Sequence, residues 1–162
     1  MHVTRRGFNL LCGTALAAEA FASSWPAFGL GAGADPATLS AMSITEASAK
    51  IHAKMLTSTE LVKALLERIS VYNPKINCYI TVMAPEALAQ AAQLDAEAKA
   101  GKFRGPLHGI PIALKDNIDT AGTRTTAASP MFRDRVPADD ADIVRRLKGN
   151  GAIILGKLNL HE

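Results

Sequence analysis

The sequence predicts an α/β fold whose sheet is at least partly parallel. Ile110, Ile112 and Leu114 alternate with Pro111, Ala113 and Lys115, which is the period of a strand. From Asp139 to Lys148, the residues Ile143, Val144 and Leu147 recur at helical spacing. Ala152 to Leu155 then reads as a buried strand. Strand, connection, helix and strand form a βαβ unit, which places the two strands parallel in one sheet.

The elements follow in chain order. Residues 1–34 read as an export signal and a linker, and 35–162 as the folded part. Arg5 and Arg6 precede Gly7-Phe8, and a small-residue, mildly apolar run follows from Leu10 to Ala22, broken by Glu19. Ala20-Phe21-Ala22 and Ala32-Gly33-Ala34 offer small-x-small cleavage sites. Thr4 to Leu10 resembles a twin-arginine signal, so the expected location is periplasmic or extracellular. Gly29 to Ala37 is Gly/Ala/Pro-rich and reads as a linker.

Ser43 with Glu46 and Thr57 with Glu60 fit the capping box that opens helices. In the second helix Leu61, Val62, Leu65, Leu66 and Ile69 share a face, and the helix is expected to stop before Asn73-Pro74. Asn77 to Met83, with Tyr79, Ile80, Thr81 and Val82, reads as a short strand. Glu86 to Ala100 reads as a helix, with Pro85 near its first turn and Gly101 past its end. Pro111 suits the first residue of a strand or an edge. Asp139, Asp140 and Asp142 are expected in the first turn of the next helix and Arg145, Arg146 and Lys148 in its last, an order that complements the helix dipole. Asp116 to Ala138 has no apolar period, and loops beyond about 12–15 residues are uncommon unless functional or disordered.

Composition removes several classes of function. With 162 residues, 48% hydrophobic and 20% charged, the chain is of ordinary globular make-up. Its net charge of +3 is spread along the chain and gives no reason to expect a nucleic-acid partner. No apolar run is long enough for a membrane anchor. Cys12 and Cys78 make no disulfide framework, and the four histidines show no metal-like spacing, so neither metal nor cofactor is expected.

Lys115 is the residue best suited to chemistry. A lysine at the end of a mostly apolar strand risks desolvation, which lowers its pKa and lets the neutral amine act as a base. It could then take a proton from a serine hydroxyl. The residues leave a second reading open, a surface lysine paired with an acid such as Asp116. Asp116 and Asn117 could orient Lys115 or the loop, or simply form a turn. His108 fits a structural or exposed position better than a catalytic one.

The run Pro106-Leu107-His108-Gly109-Ile110-Pro111-Ile112-Ala113-Leu114-Lys115-Asp116-Asn117-Ile118-Asp119-Thr120-Ala121-Gly122 closely resembles the amidase signature family. The likeness continues at Thr125-Thr126-Ala127-Ala128-Ser129, Asp142 to Leu147 and Gly151 to Glu162, and covers about residues 40–162. It implies a mixed sheet flanked by helices, of which this chain would be an incomplete N-terminal portion. It implies a Ser–cis-Ser–Lys triad with Lys115 as its lysine. Both serines would lie downstream of Glu162, and Ser129 matches neither. The expected substrate is a small-molecule carboxylic amide, hydrolysed through a serine acyl-enzyme. The oligomeric state is left open, with a homodimer among the options for the full-length enzyme. A protein like the A-type subunit of an amidotransferase is a second reading, opposed by the export pattern. A third is a non-catalytic gene fragment or remnant, and in either case the isolated chain is expected to be inactive. Leu158, Arg124 and the Ala127-Ala128 pair depart from the commoner family pattern, in which Thr or Gly is frequent.

Overall fold

The computed structural model describes residues 35–160, so the expected export signal lies outside the described residues. Among these residues no helix is long and apolar enough to cross a membrane.

Three helices come first: α1 (Pro36–Ala41), α2 (Ile44–His52) and α3 (Ser58–Ile76). Pro36 and Ala37, expected in a linker, belong to α1, where Asp35 accepts from the Ala37 and Thr38 N–H groups. Ser43 caps α2 by accepting from Glu46 N. Thr57 and Glu60 complete a reciprocal capping box on α3.

Helix α3 does not end before Pro74 as expected but runs through it to Ile76. Only the last turn lies beyond the proline. Asn77 then closes the helix in the left-handed region, its N–H donating to Asn73 O. The Asn73 side chain also accepts from Tyr79 N at 2.7 Å and donates to Tyr79 O at 3.2 Å, which ties the helix end to the strand that follows. That strand, β1, is shorter than expected, Tyr79–Val82. Helix α4 (Ala84–Lys99) carries Pro85 in its first turn. Its buried face is Ala84, Ala87, Ala91, Leu94 and Ala98, small side chains that let its backbone come close to its neighbours.

Strands β2 (Pro111–Lys115) and β3 (Ile153–Leu158) pair in parallel, while β1 pairs antiparallel with β3. The order β1-β3-β2 is a mixed sheet with β3 in the centre. Pro111 is both the first residue of its strand and on an edge, where its missing N–H costs no ladder bond. Ile112 pairs with Ile154 and Ala113 with Gly156, so β3 carries one extra residue there, a bulge. Gly156 is required at this bulge, since a Cβ would sit 2.1 Å from Thr81 O on β1.

Both faces of β3 are covered. Ile153 and Leu155 pack with Val62 and Leu66 of α3 and with the alanine face of α4. On the other face Ile154 packs with Leu114 and with Val144 of α5 (Asp142–Gly149). Helix α5 starts later than expected. Asp139 and Asp140 precede it, and Ile143 is 55% exposed, leaving Val144 as its buried residue. Asp140 has other partners: it accepts from Ala121 N at 2.8 Å and from Lys148 Nζ at 2.7 Å.

Candidate active site at the end of strand β2

The segment between β2 and α5 has no regular structure apart from a 3-10 turn at Pro130–Phe132, yet hydrogen bonds order it throughout. Gly122 N donates to Pro137 O and Thr125 N to Arg135 O, each at 3.0 Å, which folds the segment back on itself. Arg135 grips the Asp119 carboxylate with two bonds of 2.6 Å and holds that carboxyl below its usual range. Ala141 N donates to Asp119 O and links the loop to the start of α5. Ser129 accepts from Met131 N and serves the local turn.

Lys115 stands where β2 meets this loop. It is exposed, and its Nζ donates to Asn159 O at 3.0 Å, just past the end of β3. Among the described residues nothing buries the Lys115 side chain, so the expected desolvation is not seen there. Pairing with Asp116 does not occur either. Neighbours along a strand face opposite ways, and Asp116 is fully buried. Asn117 is exposed.

Asp116 is bound at four points. Its N–H donates to Leu158 O and its carbonyl accepts from Ala127 N, both at 3.0 Å. Its Oδ2 accepts from Thr126 N at 2.9 Å and from Thr126 Oγ1 at 2.5 Å. Its Oδ1 lies 3.6 Å from Nζ of Lys157, a residue with 0% exposure. Lys157 donates to Ile118 O at 2.6 Å and to Thr125 Oγ1 at 2.7 Å. Burial pushes its ammonium below the ordinary lysine value, opposed by the carboxylates of Asp116 and Asp119.

Sequence reasoning passed over Lys157, Thr125 and Thr126 as functional residues. A signal existed for the lysine: it follows the run Ala152 to Leu155, so the logic that marks Lys115 applies to it with more force. His108 is fully buried and structural, as expected. Its Nδ1 accepts from Arg104 N at 3.2 Å, so Nε2 carries the proton and donates to Leu94 O at 3.0 Å.

The Amidase family profile matches residues 60–162, well over half of the chain. The chain belongs to the amidase family. A peptide amidase from Stenotrophomonas maltophilia superposes with a TM-score of 0.70 at 42% identity, covering 74% of this chain and 25% of that one. A fatty acid amide hydrolase structure gives 0.72 at 29% identity, covering 76% of this chain and 22% of the other. The A-type subunit of the glutamyl-tRNA(Gln) amidotransferase from Carboxydothermus hydrogenoformans is 44% identical over 124 residues, 76% of this chain and 25% of that protein. This amidase-family chain thus spans about a quarter of the length of the relatives it matches. The mixed sheet flanked by helices is the architecture that the sequence led us to expect of an amidase.

Proposed function

We propose that this chain supplies the general base, Lys115, of an amide hydrolase that works through a serine acyl-enzyme. The observation that carries the reading is the setting of Lys115. Among the described residues no carboxylate pairs with it, and its Nζ rests on the neutral Asn159 carbonyl. The carboxylate adjacent in sequence, Asp116, is turned inward and balanced by Lys157.

In the full-length protein the neutral Nζ would take a proton relayed through a middle serine from a nucleophilic serine. That serine oxygen bonds to the amide carbon, and the C–N bond breaks as the amine leaves with a proton. Water then cleaves the ester and returns the serine. Asp116 and Asn117 sit beside the base, Asp116 as a buried anchor of the strand end. The reading supplies no nucleophile from this chain, so activity is assigned to the full-length enzyme. Residues 1–34 would direct it out of the cytoplasm.

The test is hydrolysis of acetamide, benzamide and an amidated dipeptide by the full-length protein, followed as ammonia release, with hydroxylamine added. An acyl-enzyme intercepted by hydroxylamine yields a hydroxamate. Amide turnover without hydroxamate contradicts the acyl-enzyme, and no turnover contradicts the hydrolase. The 44% identity to an amidotransferase component favours a second reading, a glutamine-hydrolysing component of such an enzyme. That reading requires glutamine to be the preferred amide and turnover to depend on a partner protein.

A further inference from the structure

We infer that Lys157 is a positioning residue for Lys115, acting through the loop clamp that it forms together with the buried Asp116. The inference rests on the reading of Lys115 as the base and adds the group that fixes its place.

The two lysines lie on adjacent parallel strands. Leu114 pairs with Lys157 and Lys115 with Leu158. Lys157 sits inside the sheet and Lys115 at its rim, one residue further along the register. The Lys157 ammonium gathers two separate parts of the loop, through Ile118 O and Thr125 Oγ1. Asp116 gathers the same two parts from the other side, being covalently next to Lys115 and bonded to Thr126 N. Together the two buried side chains clamp residues 116–118 against 125–127. Among the described residues Oδ1 of Asp116 accepts no hydrogen bond, and it has the Lys157 charge 3.6 Å away. Without Lys157 the carboxylate keeps Thr126 but has no counter-charge, and the bonds to Ile118 O and Thr125 Oγ1 that hold the loop against the strand end of Lys115 are lost. The carbonyl that receives Lys115 Nζ belongs to Asn159, two residues after Lys157 on the same chain segment. Both the backbone and the ammonium of Lys115 therefore take their position from β3.

Mere support of the fold and positioning of the base are separable in the full-length enzyme. The variants are Lys157→Met, Lys115→Ala, their combination, and the neutral pair Lys157→Met/Asp116→Asn, which keeps an acceptor for Thr126 N. The probe is an amide turned over by the parent, with kcat, KM and the thermal melt measured for each variant. Lys157→Met is expected to lower kcat on the order of 10²-fold, the effect of a misplacement of about 1 Å, with KM within about twofold of the parent. In the Lys115→Ala background it is expected to lower kcat no further, since both changes act on one group. The neutral pair removes the stranded charge but does not restore the Lys157 bonds to Ile118 O and Thr125 Oγ1, so it is expected to melt near the parent yet keep the lowered kcat. If Lys157→Met does not fold, the neutral pair takes its place in the cycle. Parental kcat in Lys157→Met, multiplicative losses in the combination, or recovery of kcat together with the melt in the neutral pair would each overturn the inference. Parental turnover in Lys115→Ala would instead overturn the reading of Lys115, and is told apart by that variant alone.

Discussion

Nζ of Lys157 lies 3.6 Å from Oδ1 of Asp116, and solvent reaches neither side chain. A buried charge is tolerated when its partner is present and is costly alone. Asp116→Ala leaves the Lys157 ammonium unbalanced and the buried Thr126 N–H without its acceptor. The expected loss of stability is about 3–5 kcal/mol, read by urea denaturation. A loss below about 1 kcal/mol, the range of a surface pair, would show that the burial is not maintained in solution.

Ala127 and Ala128 both occupy the left-handed region, with φ of 51° and 53°. These are the positions at which the sequence departs from a Gly-containing pattern, and the structure supplies the physical reason for glycine there. An L side chain in this conformation costs about 1–2 kcal/mol, part of which the greater chain entropy of glycine offsets. Ala127→Gly and Ala128→Gly are each expected to stabilise by about 0.5–1 kcal/mol, seen as a raised thermal midpoint. Gly122→Ala, at φ 69° and with open space around it, is expected to act in the opposite direction.

Acid should loosen the loop before it unfolds the core. Arg135 holds the Asp119 carboxyl below its ordinary 3.8. Burial alone would raise Asp140, but Lys148 and the Ala121 N–H outweigh it, and the net shift is also downward. Folded values below the unfolded ones mean that the stabilisation is complete above pH 3.8 and is lost as pH falls through the lowered values. Hydrogen exchange at the Gly122 and Thr125 amides, which bond Pro137 O and Arg135 O, should therefore accelerate below pH 3.8 relative to amides of α4. Equal acceleration in both places would contradict this order.

Much of the fold is legible because its signals are local. The Thr57–Glu60 box, the alternation at Ile110 to Leu114 and the βαβ order each lie within a few residues or follow from chain order. What failed to show depends on distant partners. Pro74 reads as a helix stop, but Asn73 and Asn77 hold one more turn through the following strand. Ile143 reads as core by spacing, but α5 meets the sheet through Val144, with Leu147 half-buried beside it. At the site, the position of Lys115 at a strand end is legible, and its exposure is one of the two readings that the residues leave open. The inward turn of Asp116 becomes visible only once Lys157, distant in sequence, is brought to the adjacent strand.

The expected export route makes an independent prediction. Arg5 and Arg6 should act as a pair ahead of a weakly apolar run. A folded reporter fused after Ala34 should leave the cytoplasm, and Arg5→Lys/Arg6→Lys should abolish its export. Unchanged export of the double variant would point to a general secretory signal.

The central claim is that Lys115 acts as a base and not as a charge. Arg keeps a charge in place but does not give up its proton at working pH, and Ala removes the group. Among the described residues the Lys115 side chain makes one hydrogen bond, to Asn159 O, and both variants are expected to melt near the parent. The most direct measurement is the amide-hydrolysis kcat of full-length Lys115→Ala and Lys115→Arg beside those melts. The expected result is a loss on the order of 10²–10⁴-fold in both variants, the share of a positioned general base, with unchanged thermal midpoints. Near-parental turnover in Lys115→Arg would contradict the account and leave Lys115 as a charge or a spacer.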